Sequence, residues 1–487
     1  MKALNLLKTA VLLSVAGQLC SCSQESGTDK QYIRLSEATI SFTAHDTTPY
    51  RITVESNPSD WNVEYLMDWV NEIERTPTSL TISVDENNTI YQREGEIVFT
   101  AGKAYYTLNV IQLGDYNAAA TYLDFTGFQG QVIMSAGGTY VGGLITTLSD
   151  DGQSFLYYPT MVETKTKKIT QLGPYDYETH MFMDSSALSD QGTIIFDTEF
   201  DEQIGVNIDG TTFKVNTIPG HAYPPRIERF SADGRICVGY SVKDFPNGTT
   251  LRIPMMWVDG EPFELQMPEK NFRDMKFEYG LMARGISANG EIIYGSTWDN
   301  TDFGMVYWDN GGNVHYVGER ILTPIQVIDS ETNEVIDYNL VNGFISWAGN
   351  YNVSPNGTWL AGTWRTEEVV DDTIETKLYP AFFNTKTQQQ YILYDFEGLT
   401  SFTATDEGLG IIGLATEVEV CYVVDIETMT TLSTSVDYMT YRYDLVVNRG
   451  VIQYVAPDNS TMLGFYLANS PAYGLENVYF YISEPSK

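Results

Sequence analysis

Histidine and cysteine are scarce in this chain, with four residues of each among 487. No His-Glu-x-x-His or Cys-x-x-Cys spacing occurs, so the sequence contains no zinc site of recognised ligand spacing. A Gly-x-Ser-x-Gly nucleophile turn is also missing. The sequence thus supplies no catalytic set, no metal ligands and no cofactor motif, and it favours a protein that is not an enzyme.

Positive charge is also in short supply. The chain has 28 Lys and Arg against 64 Asp and Glu, a formal net charge of −36. Nucleic-acid binding depends on cations that replace phosphate counterions, and a field of this sign repels polyanions. Nucleic acid is therefore excluded as a partner, and the acidic residues are expected to form a solvated surface that keeps the protein soluble.

Long apolar runs are missing after residue 21, where none approaches the 18 residues of a membrane span. Before that point, Lys2 and Lys8 precede the short apolar stretch 10–16. Basic residues followed by an apolar run too short to span a bilayer are typical of a secretory signal peptide, which we assign to residues 1–21.

The residues around Cys22 resemble the bacterial lipobox, with Leu19 three positions before the cysteine and Ser21 directly before it. The resemblance implies a lipid on Cys22, an outer-membrane lipoprotein on the periplasmic or cell-surface side, and membrane contact through the lipid anchor only. Residues 22–31 are polar and are predicted to form a tether. Two further cysteines, Cys237 and Cys421, lie in separate apolar strands and are predicted to be buried free thiols.

Residues 32–114 alternate polar and apolar positions over short segments, which predicts a β-sandwich of immunoglobulin-like size. The segment resembles the BACON domain of Bacteroidetes surface proteins. The matching residues are Trp61 and Trp69, Asn87, Arg93-Glu-Gly95 and Val110-Ile-Gln-Leu-Gly114. The resemblance implies carbohydrate or mucin association, with a spacer role as the alternative. We expect Trp61 and Trp69 to pack in the core, because a sandwich needs large buried anchors.

A turn signal ending in Gly or Asn recurs seven times in residues 120–487. Its copies begin at Ser135, Ser189, Ser231, Ser287, Ser354, Thr405 and Ala456, and their last residues lie 54, 42, 56, 67, 51 and 51 positions apart. This period, with an apolar strand after each copy, predicts four-stranded meanders arranged as a seven-bladed β-propeller. The fold class expected is therefore all-β: an N-terminal sandwich followed by a propeller.

Two repeats carry further resemblances. Ser354-Pro-Asn-Gly-Thr-Trp-Leu360 resembles a blade of TolB-type propellers, and Gly304-Met-Val-Tyr-Trp308 with the turn after it resembles HAF-type extracellular repeats. Both resemblances imply fold and not activity. The last repeat lacks a fourth strand, and residues 120–125 before the first repeat are predicted to supply it and close the ring.

Loop lengths predict which side of the propeller holds a site. The recurring turns are short and fall on one side, whereas the longer segments 173–178, 242–248, 268–277, 323–342 and 365–377 are predicted to be loops on the other. Five aromatic residues at strand ends are predicted to face a ligand on that side: Tyr240, Trp298, Trp347, Trp364 and Tyr466. Flat aromatic rings on a polar rim suit the C–H faces of sugars.

The function predicted from these features is a lipid-anchored binding protein for a glycan or glycoprotein. A glycan-active hydrolase or lyase on the same face is one alternative, and a scaffold for an outer-membrane protein partner is another. The acidic residues in the longer segments, Asp299, Asp302, Glu367, Glu368, Asp371 and Asp372, are predicted to be solvated rather than to bind calcium.

Overall fold

The computed structural model describes residues 31–42, 48–87, 93–112, 121–125, 127–149, 152–176, 182–199, 202–299, 302–328, 335–346, 351–371, 373–414, 417–443, 450–470 and 474–483. The predicted signal peptide, Cys22 and almost all of the tether lie outside these residues. The chain divides into two compact units, Met1–Tyr116 and Asn117–Lys487. Strands dominate both, and none of the helices in the described ranges is long and apolar enough to cross a bilayer.

The first unit consists of two four-stranded sheets. Its strands are β1 (Tyr32–Leu35), β2 (Thr39–Phe42), β3 (Tyr50–Asn57), β4 (Asn62–Tyr65), β5 (Val70–Thr76), β6 (Ser79–Val84), β7 (Arg93–Ala101) and β8 (Ala104–Gln112). One sheet has the order β1-β3-β6-β5 and the other β2-β8-β7-β4, with β2 parallel to β8. Both sheets contribute to one core, in which Trp61 and Trp69 are buried, as the sequence predicted. Trp61 also donates its indole N–H to the carbonyl of Pro77 at 2.9 Å.

The second unit begins with β9 (Thr121–Asp124) and then contains seven antiparallel sheets in chain order, which we number sheet 1 to sheet 7. Sheet 1 contains β10 (Phe128–Met134), β11 (Tyr140–Leu148), β12 (Phe155–Glu163), β13 (Ile169–Gln171) and β14 (Tyr175–Asp176). Sheet 2 contains β15 (Phe182–Leu188), β16 (Thr193–Thr198), β17 (Gln203–Asn207) and β18 (Thr212–Lys214). Sheet 3 contains β19 (Arg226–Phe230), β20 (Ile236–Asp244), β21 (Thr250–Val258) and β22 (Glu261–Glu264).

The remaining sheets follow the same meander. Sheet 4 contains β23 (Leu281–Ile286), β24 (Ile293–Thr297), β25 (Met305–Trp308) and β26 (Val314–Tyr316). Sheet 5 contains β27 (Ile321–Ile328), β28 (Val335–Ile345), β29 (Trp359–Val370), β30 (Thr373–Asn384) and β31 (Gln389–Ile392), followed by a 3-10 turn (Tyr394–Phe396). Sheet 6 contains β32 (Thr400–Ala404), β33 (Leu409–Leu414), β34 (Glu417–Asp425) and β35 (Thr430–Thr434), followed by α1 (Ser435–Tyr443). Sheet 7 contains β36 (Val451–Val455), β37 (Thr461–Ser470) and β38 (Gly474–Ser483).

The recurring turn signal forms the link between the first two strands of each sheet. Its last residue lies in the left-handed region in all seven copies, with φ between 55° at Asn459 and 86° at Gly408. This backbone conformation favours glycine and asparagine, which explains why these residues recur there. The Ser or Thr that begins six of the copies turns its hydroxyl back to accept a backbone N–H after the turn, as Ser354 does from Trp359 at 3.1 Å.

The second residue of the signal connects neighbouring sheets. The Asp190 carboxylate accepts hydrogen bonds from the Ser135 hydroxyl and the Gly137 N–H at 2.7 Å each, and from the Thr139 N–H at 3.0 Å. Asp406 likewise accepts the N–H of Asn356 at 2.8 Å. Each carboxylate thus fixes its own turn to the turn of the preceding sheet.

Strand β9 completes the last sheet. It pairs antiparallel with β38 through Leu123 opposite Tyr481 and Asp124 opposite Phe480, which gives sheet 7 the order β36-β37-β38-β9. The predicted pairing of residues 120–125 with the last repeat is therefore confirmed for the described residues. The pairing covers a sheet edge that would otherwise present unpaired backbone groups.

Two of the predicted loops are extended strands instead. Segment 323–342 contributes to the β27–β28 hairpin, which pairs Ile321 with Asn342 through to Ile328 with Val335. Segment 365–377 lies in the β29–β30 ladder, which continues to Val370 opposite Thr373. The loop prediction was wrong at these two places because both segments alternate β-branched and polar residues, which favour strands even outside the repeat.

Arg229 joins sheets that are not neighbours in the chain. Its guanidinium lies 4.3 Å from the ring centre of Tyr351 and 4.6 Å from that of Tyr454. Tyr454 donates its hydroxyl to the Ala136 carbonyl at 2.7 Å, and Tyr351 accepts the N–H of Met134 at 3.0 Å. Residues of sheets 1, 3, 5 and 7 therefore meet at one buried cluster, which we call the Arg229 cluster.

Replacing Asp190 tests whether the turn-to-turn contacts hold neighbouring sheets together. We expect Asp190→Ala to lower the free energy of unfolding by about 2–3 kcal/mol, because charge-assisted hydrogen bonds to three donors are lost. Asp209→Ala is the matched control, since that exposed carboxylate bonds only within its own turn, to Thr211. Urea unfolding followed by circular dichroism measures both changes, and an equal loss in the two variants would contradict the expectation.

Two replacements of Arg229 distinguish the contribution of its charge to stability from the contribution of its packing. We expect Arg229→Ala to cost about 3 kcal/mol or more, because a large buried side chain leaves a cavity. Arg229→Met should recover most of that loss in stability, since the cost of burying the cation disappears. The two cation–π contacts are lost in this variant as well. The exposed pair of Arg34 and Tyr32 provides the control, and Arg34→Ala should change stability by less than about 0.5 kcal/mol. Equal destabilisation by the Met and Ala variants would show that the charge itself is required.

Candidate functional site

Two of the predicted ligand-facing aromatics are core residues. Trp364 is 3 % exposed and packs edge-on against Phe344 at 5.6 Å, and Tyr466 is 7 % exposed and stacks with Phe480 at 6.3 Å. Neither ring presents a face to solvent, so we correct their predicted role as stacking platforms. Trp347 lies outside the described residues. Tyr240 and Trp298 are partly exposed.

The chain neighbours of these two core residues line a cavity instead. Thr363 precedes Trp364 in β29, and Phe465 precedes Tyr466 in β37. Side chains alternate between the two faces of a strand, so adjacent residues point to opposite sides. The predicted residues therefore lie in strands that border the cavity, but on the opposite face from the residues that line it.

The cavity has a volume of about 460 Å³ and lies among sheets 5, 6 and 7. Its apolar wall includes Ile345, Tyr351, Leu378, Phe402, Leu414, Phe465 and Tyr479. Neutral polar residues make up most of the remainder, namely Ser346, Asn352, Thr363, Thr400, Ser401, Gln453 and Asn477. None of the lining residues is an Asp, Glu, Lys or Arg. In a chain of net charge −36, this is a neutral site.

Two polar atoms of the lining are buried without a hydrogen-bond partner in the described part of the chain: Ser346 Oγ and Gln453 Oε1. A buried polar atom that stays unpaired costs free energy, and ligand hydroxyls would offer partners to these atoms. Other lining residues are already engaged, since Ser401 Oγ accepts the N–H of Ala381 at 3.0 Å. The cavity therefore combines aromatic walls with two uncommitted hydrogen-bonding groups.

A bulge recurs on the first strand of five of the seven sheets, and two of these bulges help to build the cavity. In sheets 2, 3, 4, 6 and 7 the pairing skips one residue, three positions before the turn signal. The skipped residues are Ser186, Glu228, Arg284, Phe402 and Gln453, of which the last two line the cavity. A β-bulge re-aims its side chain out of the regular alternation. The fixed offset from the turn signal could have identified these positions in the sequence.

The bulge residues of sheets 3 and 4 form an ion pair. Glu228 and Arg284 approach to 3.5 Å, and both side chains are largely buried. Burial raises the pKa of the Glu228 carboxyl, and the nearby Arg284 charge opposes that rise. Arg284 also lies 5.3 Å from the ring centre of Trp298. The bulge residues are thus neutral in sheets 6 and 7 and charged in sheets 3 and 4.

Three of the acids predicted to be solvated are buried and paired. Asp302 bonds to Arg273 and to Arg365, the latter at 2.8 Å, and Glu367 accepts two hydrogen bonds from Arg273 at 2.8 Å each. Asp299 accepts three backbone N–H groups, of residues 278–280. That prediction was wrong for these three residues because their partners come from other segments: Arg273 for Asp302 and Glu367, and Asn271 with the backbone of residues 278–280 for Asp299. Within the described residues, no group of three or more His, Cys, Asp or Glu side chains is placed to hold a metal ion.

The two thiols in the second unit are free and buried, as predicted. Burial raises the pKa of both Cys237 and Cys421 to about 12. A thiol with so high a pKa stays protonated at neutral pH and is a poor nucleophile.

Comparisons with known proteins give one family match and several similar solved structures. Residues 59–113 match the BACON family, described as "Putative binding domain, N-terminal". The chain is similar to TolB from Acinetobacter baumannii, with 12% identity over 69% of this chain and 75% of that one and a TM-score of 0.30. It is also similar to the β-propeller domain of the Trilobed protease from Pyrococcus furiosus, with 12% identity over 73% and 94% and a TM-score of 0.38.

A third similar structure is the Dos1 propeller, with 9% identity over 76% of this chain and 95% of that one and a TM-score of 0.38. No curated protein sequence matches the chain. The chain is all-β, its N-terminal unit contains a match to the BACON family, and that match fits a protein that binds a partner.

Proposed function

We propose that this protein is a lipid-anchored binding protein whose cavity among sheets 5, 6 and 7 captures an uncharged part of a glycan or glycoprotein. In this proposal the second unit is a closed seven-bladed β-propeller. The first unit is an immunoglobulin-like β-sandwich that holds the propeller away from the membrane. The lipid on Cys22 anchors the chain to the outer membrane, on its periplasmic or cell-surface side.

The neutral lining of the cavity is the observation that carries the proposal. Sugar rings combine apolar C–H faces with many hydroxyls, so they suit a site that has aromatic walls and few, well-placed polar groups. Tyr351, Phe402 and Tyr479 supply such walls, and Ser346 Oγ and Gln453 Oε1 are free to bond to hydroxyls. An ion would lose its hydration in this cavity without gaining a charged partner from the lining.

The same lining argues against hydrolysis at this site. Glycoside hydrolysis ordinarily needs two carboxyl groups beside the scissile bond, and no lining residue carries one. The alternative of an outer-membrane scaffold requires a surface contact rather than a cavity, and the cavity favours a small group.

Filling the cavity tests the proposal. We expect the lipid-free chain to bind neutral oligosaccharides on a glycan array. Asn477→Trp, at an exposed lining position, should weaken that binding about tenfold or more, equivalent to about 1.4 kcal/mol. Gln453→Leu should weaken it as well, because an acceptor for a ligand hydroxyl is lost. Tyr441→Ala, at an 83 % exposed ring on α1, is the control and should bind as the unmodified chain does. Unchanged binding by Asn477→Trp would remove the cavity as the site.

The anchor has its own test, for which the sequence provides a matched pair of cysteines. Cys22→Ala should release the full-length chain from the membrane fraction, because the acceptor of the lipid is lost. Cys20→Ala should leave it membrane-bound, since Leu19 before Cys20 does not fit the lipobox. Fractionation of expressing cells and labelling with a lipid precursor distinguish the two outcomes. Membrane retention of the Cys22 variant would contradict the proposed anchor.

A further inference from the structure

Three arginines and two aromatic residues come together between sheets 3 and 4. Arg226 lies directly opposite Tyr240 in the β19–β20 ladder. Tyr240 in turn lies opposite Pro254, two residues from Arg252 on the same strand. Residues that are opposite or diagonal on neighbouring antiparallel strands share one face of the sheet. Arg226, Tyr240 and Arg252 therefore form a row on one face of sheet 3.

Sheet 4 adds a tryptophan and a third arginine to this row. The guanidinium of Arg252 lies 5.5 Å from the ring centre of Trp298, and that of Arg284 lies 5.3 Å from it. Phe303 supports the same indole edge-on at 5.2 Å. Trp298 is therefore in contact with both guanidinium groups. We call Arg226, Tyr240, Arg252, Arg284 and Trp298 the arginine cluster.

The cations of the cluster are unequally neutralised. Arg226 is paired with Asp197, and Arg284 meets Glu228 at 3.5 Å. Arg252 has no carboxylate at ion-pair distance among the described residues, although the chain has more than twice as many acids as bases. Arg284 Nε is buried and lacks a hydrogen-bond partner in the same part of the chain. One guanidinium and one further donor thus remain available.

Part of the cluster is reachable from solvent. Arg252, Tyr240 and Trp298 are partly exposed and the Arg226 side chain is 30% exposed, whereas the Arg284 side chain is largely buried, at 12%. Burial raises the pKa of Tyr240, the charges of Arg226, Arg284 and Arg252 oppose that rise, and the nearby Glu228 carboxylate adds to it. A ligand at the cluster would therefore meet guanidinium groups and a phenol together.

We propose that the arginine cluster binds the carboxylate of an acidic monosaccharide unit. The planar guanidinium of Arg252 matches a carboxylate in a two-point hydrogen bond, and the Arg284 N–H adds a third donor. The phenol of Tyr240 forms a hydrogen bond with a hydroxyl of the sugar ring. The inference rests on the proposed function in that the ligand is a sugar, but it concerns a site separate from the neutral cavity.

The charge of the whole protein favours a sugar over an acidic protein segment. A net charge of −36 repels a segment with many carboxylates, whereas one carboxylate on an otherwise neutral ring meets less repulsion. A single uncommitted guanidinium also matches a single carboxylate.

Calorimetric titration of the lipid-free chain with D-glucuronate tests the proposal, with D-glucose, acetate and a short glutamate-rich peptide as the other probes. We expect glucuronate to bind at least about tenfold more tightly than glucose and acetate, and to weaken as salt is added. Arg252→Gln should lower glucuronate affinity about tenfold. Arg252→Lys should retain part of it, because the charge remains while the planar fork is lost.

Arg235→Gln is the matched control, because that arginine is 62 % exposed and pairs with Asp259 elsewhere in sheet 3. Its glucuronate affinity should equal that of the unmodified chain. Equal affinities for glucuronate and glucose, or full affinity in Arg252→Gln, would overturn the proposal. Tighter binding of the peptide than of glucuronate would assign the cluster to a protein partner and would also overturn it.

The proposal for the cavity and the proposal for the arginine cluster can be refuted independently. Asn477→Trp should leave glucuronate binding intact, because it alters only the cavity. Loss of neutral-sugar binding with glucuronate binding retained would refute the cavity and keep the arginine cluster. The reverse result would refute the cluster and keep the cavity.

Discussion

The second unit depends on contacts that reach across it rather than along its chain. Each sheet is a short meander with two faces to bury, and a meander of four strands has no core of its own. The Arg229 cluster provides a shared core at one place, where a cation and two phenol rings connect sheets 1, 3, 5 and 7. Around it, the turn carboxylates of Asp190 and Asp406 fix neighbouring sheets to each other. Both distant and neighbouring sheets are therefore connected through buried side chains and turns.

Both candidate sites include residues from bulges on the first strands of their sheets. In five sheets a bulge before the turn signal releases one side chain from the ladder, and the residue type at that position determines the chemistry of the side chain. Phe402 and Gln453 give a neutral wall, whereas Glu228 and Arg284 give an ion pair. One repeated backbone feature thus yields two chemically different surfaces within one unit.

The strand order could be read from the sequence because it depends on local signals. A glycine with positive φ, a serine that caps the turn and an apolar strand recur together, and each is visible in a few residues. The site could be predicted only in part. Trp364 and Tyr466 were chosen for their residue type, but a one-residue difference in alternation places them in the core. The buried pairs of Arg273 and Arg365 with Asp302 and Glu367 depend on contacts between distant segments, which no local pattern reveals.

The pairing of β9 with β38 joins the earliest strand of the second unit to its latest one. Ribosomes release β9 long before β38 exists, so the last sheet cannot be completed while synthesis is under way. Nearly the whole second unit must therefore be synthesised before the unit can reach its full cooperative stability.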